Sequence, residues 1–393
     1  MLPQKPLSLY VHIPFCRSRC GYCDFNTYAG MEKQIPTYIR ALEREITHFF
    51  EHLNHKQPIH TVYFGGGTPS IIPADEIQKL LDSIRQKFEI TPGAEVTLEA
   101  NPTGVTKPYL ESLFAAGVNR LSIGMQSAVK EELEILDRKH EPADIERMVS
   151  TARKAGILNL SLDLIFGIPG QTLRSLEKSV IKAIDLKVDH LSIYGLILHE
   201  ETPLYRKISS GAIAGMDGDL AGDMYAWLME FLPKKGYDQY EISNWAGEKS
   251  SQSQHNLQYW HNREYLGIGA GAHSHIGQYR WSNVPGINAY TQSFNEKDIN
   301  TLYHGGCEEI TQLDKEDDLK ETMMMGLRLT KVGIDIKAVN QRFGVDIKRI
   351  YAKEISKLIR LDMIEMKLIK GREHMRLKEK GRMLGNQVFM EFI

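Results

Sequence analysis

The chain has 393 residues, enough for a large buried core and more than one domain. Its 48 Lys and Arg nearly balance 50 Asp and Glu, so no global field draws it to nucleic acid or to an anionic membrane surface. No apolar run is long enough to span a bilayer, and the N-terminus runs straight into a strand pattern without a signal segment, which predicts a soluble, cytoplasmic protein with reduced thiols.

The first strand candidate, 7–13, leads directly into Cys16, Cys20 and Cys23, three of the four cysteines in the protein, spaced C-x3-C-x2-C. Thiolates are the usual ligands of iron-sulfur clusters, and a four-iron cubane normally takes four. Three would leave one iron open to a chelate such as the amino and carboxylate groups of S-adenosylmethionine (SAM), whose chemistry the protein would position and shield. Zinc is the rival, although it usually takes C-x2-C pairs and a fourth Cys or His. A disulfide framework is disfavoured by the odd count and the absent signal segment. Cys307 lies far off and reads as incidental.

Five further strand candidates follow at 61–64, 95–99, 120–123, 158–166 and 190–194, with helices between, a strand-then-helix rhythm of about thirty residues. The clearest helix is 35–53, where Ile35, Ile39, Leu42, Ile46, Phe49, Phe50 and Leu53 recur at helical spacing while Glu43, Arg44 and Glu45 lie mostly off that stripe. Six such units predict an α/β fold, a partial (β/α)6 barrel, over residues 1–200. Parallel sheets of this kind carry their sites at the carboxyl ends of the strands. There lie Cys16, then Gly65-Gly66-Gly67-Thr68, Glu99, Gln126 and Gly167. A triple glycine after a strand lets backbone approach a ligand, although a turn is its commoner meaning. Asp163, inside an apolar strand, needs a partner, and Arg138 is a candidate.

Residues 201–313 predict an α+β extension. The stretch 200–215 reads as loop and 219–232 as a helix; 236–274 is dense in His, Tyr and Trp without helical or strand periodicity, as a binding loop would be. It contains His255-Asn256-Leu-Gln-Tyr259-Trp260. Histidine is a common axial ligand of haem iron and aromatic rings can flank a porphyrin, but a His near aromatics is more often a packed residue. His261, His273 and His275 are neighbouring alternatives. The segment 295–315 reads as a boundary. From 314 to 393, helices at 319–329, 336–343 and 350–361 and a hairpin at 363–368 and 374–377 predict a winged-helix-like domain. Its stretch 331–382 holds 15 basic against 7 acidic residues, so nucleic acid must be considered, but nothing else supports groove reading and it is not expected as a partner.

The cysteine spacing with Tyr22 before its last cysteine, within Tyr10-Val-His-Ile-Pro-Phe-Cys16 and Cys20-Gly-Tyr-Cys23-Asp24-Phe25, resembles the radical SAM superfamily, in the branch containing oxygen-independent coproporphyrinogen oxidase (HemN) and the haem chaperone HemW. The resemblance implies a 4Fe-4S cluster on Cys16, Cys20 and Cys23. It implies SAM contacts from Tyr10, Tyr22, Gly66, Gly67, Thr68 and Glu99, and from Gln126, Arg138 and Asp163. His255, Asn256, Tyr259 and Trp260 look like the HemW segment associated with haem. The coproporphyrinogen oxidases typically carry a further cysteine two residues after Cys23, where this chain has Phe25. The resemblance therefore implies a haem chaperone serving acceptor haem proteins, respiratory ones among them, with a flavodoxin or ferredoxin as electron donor. The alternative is oxygen-independent coproporphyrinogen III oxidase, which decarboxylates propionate side chains to give protoporphyrinogen IX.

Overall fold

The computed structural model describes residues 6–53, 58–294, 303 and 306–393, so about half of the expected boundary at 295–315 falls outside the described residues. The chain forms two compact units, Met1–Ala221 with Glu264–Thr311, and Gly222–Arg263 with Gln312–Ile393.

In the first unit β1 (Leu7–Ile13), β2 (Pro58–Gly66), β3 (Glu89–Ala100), β4 (Arg120–Gln126), β5 (Asn159–Phe166) and β6 (His190–Gly195) pair in chain order, all parallel. Between them run α1 (Ile35–His52), α2 (Ala74–Lys87), α3 (Lys107–Ala116), α4 (Lys130–Ile135), α5 (Pro142–Lys154) and α6 (Leu173–Asp185). The strands are buried on both faces but apolar on only one: in β5, Leu160, Leu162 and Leu164 alternate with Ser161 and Asp163. β1 is buried at every position except Tyr10, which is half-buried. Most of the expected helical stripe is the buried face of α1, through Ile35, Ile39, Leu42, Ile46 and Phe49, with Leu53 buried just past its end; Phe50 is exposed instead. Glu45 departs from expectation. It is fully buried, because its carboxylate accepts from Gly269 N at 2.8 Å, from Asn283 Nδ2 at 2.7 Å and from the Tyr290 hydroxyl.

Beyond the six units the stretch expected to be an aperiodic loop is partly regular. β7 (Tyr265–Ile268) adds to the far side of β1 in parallel, and β8 (His273–Ile276), β9 (Tyr279–Asn283) and β10 (Cys307–Gln312) continue the sheet. A four-residue strand is too short to display a period of two, and glycines at 267, 269 and 271 read as turn signals. The expected loop at 200–215 contains α7 (Pro203–Ser209), started by Thr202, whose hydroxyl accepts from Tyr205 N.

The second unit packs helices Lys315–Gly326, Ile336–Phe343, Ile347–Ile350 and Ala352–Arg360 with an antiparallel sheet ordered Ile334–Asp335, Arg372–Leu377, Ile364–Ile369. Met323, Leu327, Ile347, Met375 and Phe392 form its centre, fully buried. Asp335 caps the second helix through Ala338 N, and Gly344 ends it with a φ of 64° that only glycine adopts freely. This is the winged-helix-like arrangement expected from the hairpin and three helices. The same unit holds a short hairpin, Asp238–Glu241 with Asn244–Ala246, and the helix Gln254–Trp260.

Candidate functional site

The carboxyl ends of β1 to β5 bring nearly all the expected residues of the cluster and SAM sets to one end of the sheet. β1 delivers Cys16, 8% exposed, within the short strand Phe15–Cys16 that pairs with Tyr28–Ala29. The glycine loop after β2 clamps onto this backbone: Gly67 N donates to Ile13 O and Thr68 N to Phe15 O, both at 2.8 Å, and the Thr68 hydroxyl donates to Cys16 Sγ at 3.4 Å. A side chain on Gly67 would lie 2.7 Å from Phe15 O and 3.1 Å from Cys16 Sγ, so the close approach requires glycine. Cys20 Sγ receives Arg138 Nη1 at 3.5 Å, and Cys23 Sγ lies 4.0 Å from the Thr27 hydroxyl. Burial pushes the Cys16 and Cys23 thiols up, and their neighbouring cysteines add to the effect. Three thiols that feel one another in a partly buried loop suit a cationic cluster, which would hold them as thiolates.

Around them the polar groups are ordered. Asn26 O accepts from His12 Nε2 at 2.9 Å, and since a carbonyl only accepts, Nε2 bears the proton and Nδ1 accepts from the Tyr10 hydroxyl at 3.0 Å. Burial holds His12 neutral, with a pKa of about 4. Tyr10 stacks on Tyr63, centroids 6.2 Å apart, and Tyr63 donates to Glu99 at 2.8 Å; Gly66 N donates to the second Glu99 oxygen at 3.3 Å. Burial raises Glu99 to about 7. Asp163 takes the Ser122 hydroxyl at 2.9 Å and also a hydrogen bond from Ser192, while Arg138, the partner expected for it, acts on Asp163 through charge together with Arg120; Arg138 Nη2 itself donates to Gly124 O at 2.7 Å. Buried Arg138 Nε has no hydrogen-bond partner among the described residues, an orphaned donor beside Cys20 of the kind a bound anionic group satisfies. Burial also raises Tyr22 well above the usual phenol range, and Gln126 holds a left-handed φ of 62°. An orphaned guanidinium nitrogen, a side-chain-free glycine cradle and two partly protonatable carboxyls fit the amino-acid end of a small zwitterion. His12, Tyr63 and Ser122 belong to this set and were not singled out from sequence; His12 lies two residues from Tyr10 on the same face of β1, a signal that alternation alone offers.

His255, Asn256, Tyr259 and Trp260 lie in the second unit, on the helix Gln254–Trp260 capped by the Ser253 hydroxyl, which accepts from Asn256 N at 3.3 Å. Spacing of four residues stacks His255 against Tyr259. The His255 ring is 1% exposed and its Nε2 is 3.0 Å from the Tyr259 hydroxyl. Trp260 carries the Arg328 guanidinium on its ring at 5.2 Å, and Phe389 takes the same group at 4.7 Å. The structure thus joins His255 to Tyr259 and sends Trp260 to a different partner.

A parallel α/β sheet with three cysteines after its first strand and a glycine loop clamped to them defines the radical SAM class, and residues 10–182 match the Radical SAM superfamily. Residues 313–384 match the HemN C-terminal domain. The fold is that of Escherichia coli coproporphyrinogen III oxidase HemN, a radical SAM enzyme, with a TM-score of 0.83 and 24% identity over 99% of this chain and 90% of that one. Heme chaperone HemW of Lactococcus lactis is 34% identical over 391 residues, 99% of this chain and 98% of the relative, and HemW of Bacillus subtilis is 35% identical over 98% and 99%. The chain belongs to the HemW family of radical SAM proteins, a class that implies a 4Fe-4S cluster and SAM. Among the described residues no helix is long and apolar enough to cross a membrane.

Proposed function

We propose that the protein is a haem chaperone: it binds haem and passes it to acceptor haem proteins. The observation that carries this reading is the likeness along essentially the whole chain to relatives named heme chaperones. In this reading Cys16, Cys20 and Cys23 hold the cluster. Tyr10, Tyr22, Gly66, Gly67, Thr68, Glu99, Gln126, Arg138 and Asp163 surround SAM. A reduced cluster with SAM bound can supply one electron to the sulfonium and so an adenosyl radical. The chain's own contribution is positional: Arg138 offers its orphaned Nε, Gly66 and Gly67 remove side-chain bulk, and neutral His12 fixes the Tyr10 hydroxyl. His255, Asn256, Tyr259 and Trp260 form the haem-associated segment, and the electron donor is a cytoplasmic flavodoxin or ferredoxin.

The test is an anaerobic haem titration of the reconstituted protein followed by absorbance, with a His255→Ala variant alongside. Saturable, stoichiometric binding supports the chaperone reading, and a weaker or spectrally changed complex in the variant places haem at the helix Gln254–Trp260. Adsorption without saturation refutes the reading.

A further inference from the structure

Arg328 carries a charge to which the second unit gives no hydrogen-bond acceptor. Its guanidinium lies between two rings, 5.2 Å from the centroid of Trp260 and 4.7 Å from that of Phe389. Rings on two sides fix where a guanidinium sits and offset part of its charge, but they supply no lone pairs to its N–H groups. Among the described residues no hydrogen bond or salt bridge reaches this side chain. Its Nε is buried and orphaned, and the half-buried residue meets solvent through the rest of the group. Comparable arginines are not left in this state. Arg342, over the Phe343 ring, donates to both oxygens of Asp318, and Arg382, whose Nε is also orphaned, gives Nη1 to Gln239 Oε1 at 2.9 Å.

The acidic group whose charge Arg328 feels is Glu241, but that carboxyl is buried and already committed to Asn244 Nδ2 and to the backbone N–H of Ser243. Trp260 adds a second buried donor without a partner, its Nε1. The stack therefore presents donors and a positive charge. Its complement is a group that only accepts, and a carboxylate places two oxygens against the two end-on Nη atoms of a guanidinium. Withdrawing an unpaired guanidinium from water costs more than a cation–π contact returns, which points to a partner from outside the chain. The receptor is also built onto the right element. Trp260 closes the helix Gln254–Trp260, which the chaperone reading assigns to haem, and haem is an apolar plane with carboxylates on one edge.

Resting on the chaperone reading, we infer that Arg328, stacked between Trp260 and Phe389, receives a propionate carboxylate of haem. The test compares haem with its dimethyl ester, which keeps iron and macrocycle and removes the propionate charges, in absorbance titrations of the full-length, anaerobically reconstituted protein. Wild type is set beside Arg328→Lys and Arg328→Gln, each first assayed for iron, sulfide and melting temperature. Wild type is expected to bind haem at least about tenfold more tightly than the diester, as a charge-assisted hydrogen bond implies. Arg328→Gln is expected to lose that preference by weakening haem and leaving the diester as it was. Arg328→Lys keeps the charge without the paired geometry and falls between. Haem and diester weakened alike in Arg328→Gln would make Arg328 a packing residue and overturn the inference. Wild-type haem affinity in that variant overturns it too, as does equal affinity of the wild type for haem and diester. A further measurement needs no substitution: phenylglyoxal labelling of Arg328 in wild type, read by peptide mass spectrometry, should be blocked by haem and not by the diester. Equal labelling with and without haem overturns the inference while leaving the chaperone reading intact. Absence of saturable haem binding in wild type overturns both.

Discussion

Replacing Gly67 by alanine probes the clamp between the glycine loop and the cysteine loop. The added Cβ would stand 2.7 Å from Phe15 O, 2.9 Å from Ile13 O and 3.1 Å from Cys16 Sγ, and two of its three nearest neighbours are backbone that cannot swing aside. Those two carbonyls are the acceptors for Gly67 N and Thr68 N, so relieving the clash lengthens both 2.8 Å hydrogen bonds. Overpacking costs about 1–3 kcal/mol and each of the two weakened backbone bonds up to about 1 kcal/mol, so the expected loss is about 1–5 kcal/mol. Because the displaced backbone carries Cys16, the variant should also take up less iron and sulfide on anaerobic reconstitution. Gly215→Ala is the control, since a Cβ there meets only Ile208 Cγ2 at 3.9 Å. The assay is thermal unfolding together with iron and sulfide per chain. Wild-type values for both in Gly67→Ala would refute the reasoning.

Two more predictions concern buried carboxyls. Glu45→Ala leaves Gly269 N and the Tyr290 hydroxyl without this acceptor, while Asn283 Nδ2 keeps Gly269 O at 2.9 Å; at about 1–3 kcal/mol for each buried group left unsatisfied, denaturant unfolding should show a loss of at least about 2 kcal/mol, and a loss under about 1 kcal/mol contradicts the network. Glu241 is buried in the second unit, and burial raises it from 4.5 to about 7. Its contribution to stability is therefore complete below about pH 4.5 and is lost as pH rises through about 7. At roughly 1.4 kcal/mol for each pH unit of displacement, Glu241→Gln should gain up to about 3 kcal/mol on wild type between about pH 5 and pH 8, and a difference that does not change with pH would count against it.

What the sequence revealed of the site follows from how local each signal is. Cys16, Cys20 and Cys23 share one loop, and Gly65-Gly66-Gly67 is contiguous, so both could be read directly. Tyr63 could not, because its role depends on register: it stands opposite Tyr10 across β1 and β2 and opposite Thr97 across β2 and β3, after an irregularity between Ile59 and Thr61. A one-residue slip would turn it to the other face. The same holds for Asp163, whose hydrogen-bond partner Ser122 comes from the neighbouring strand, while Arg138, the expected partner, gives its hydrogen bonds to Gly124 O and Cys20 and reaches Asp163 through charge alone. β7 escaped notice for a different reason: it is four residues long, and it was placed by pairing with β1 from the far end of the chain.

The register also explains how an apolar strand presents polar chemistry at one end. Along β1, Tyr10 and His12 point to the same side, and His12 stands opposite Gly65 of β2. At Gly66, the next residue, φ is 111°, a conformation in which a side chain would be strained, and the position where its Cβ would project is filled by the His12 ring. The missing side chain is thus what lets His12 stay buried, and burial is what holds it neutral near neutral pH. A neutral ring with its proton committed to Asn26 O can only accept from Tyr10, so the Tyr10 hydroxyl proton is turned toward His12 and its oxygen faces its other neighbours as an acceptor. One glycine, one imidazole and one phenol therefore act as a unit: enlarging the first evicts the second and frees the third to reverse its hydrogen bond.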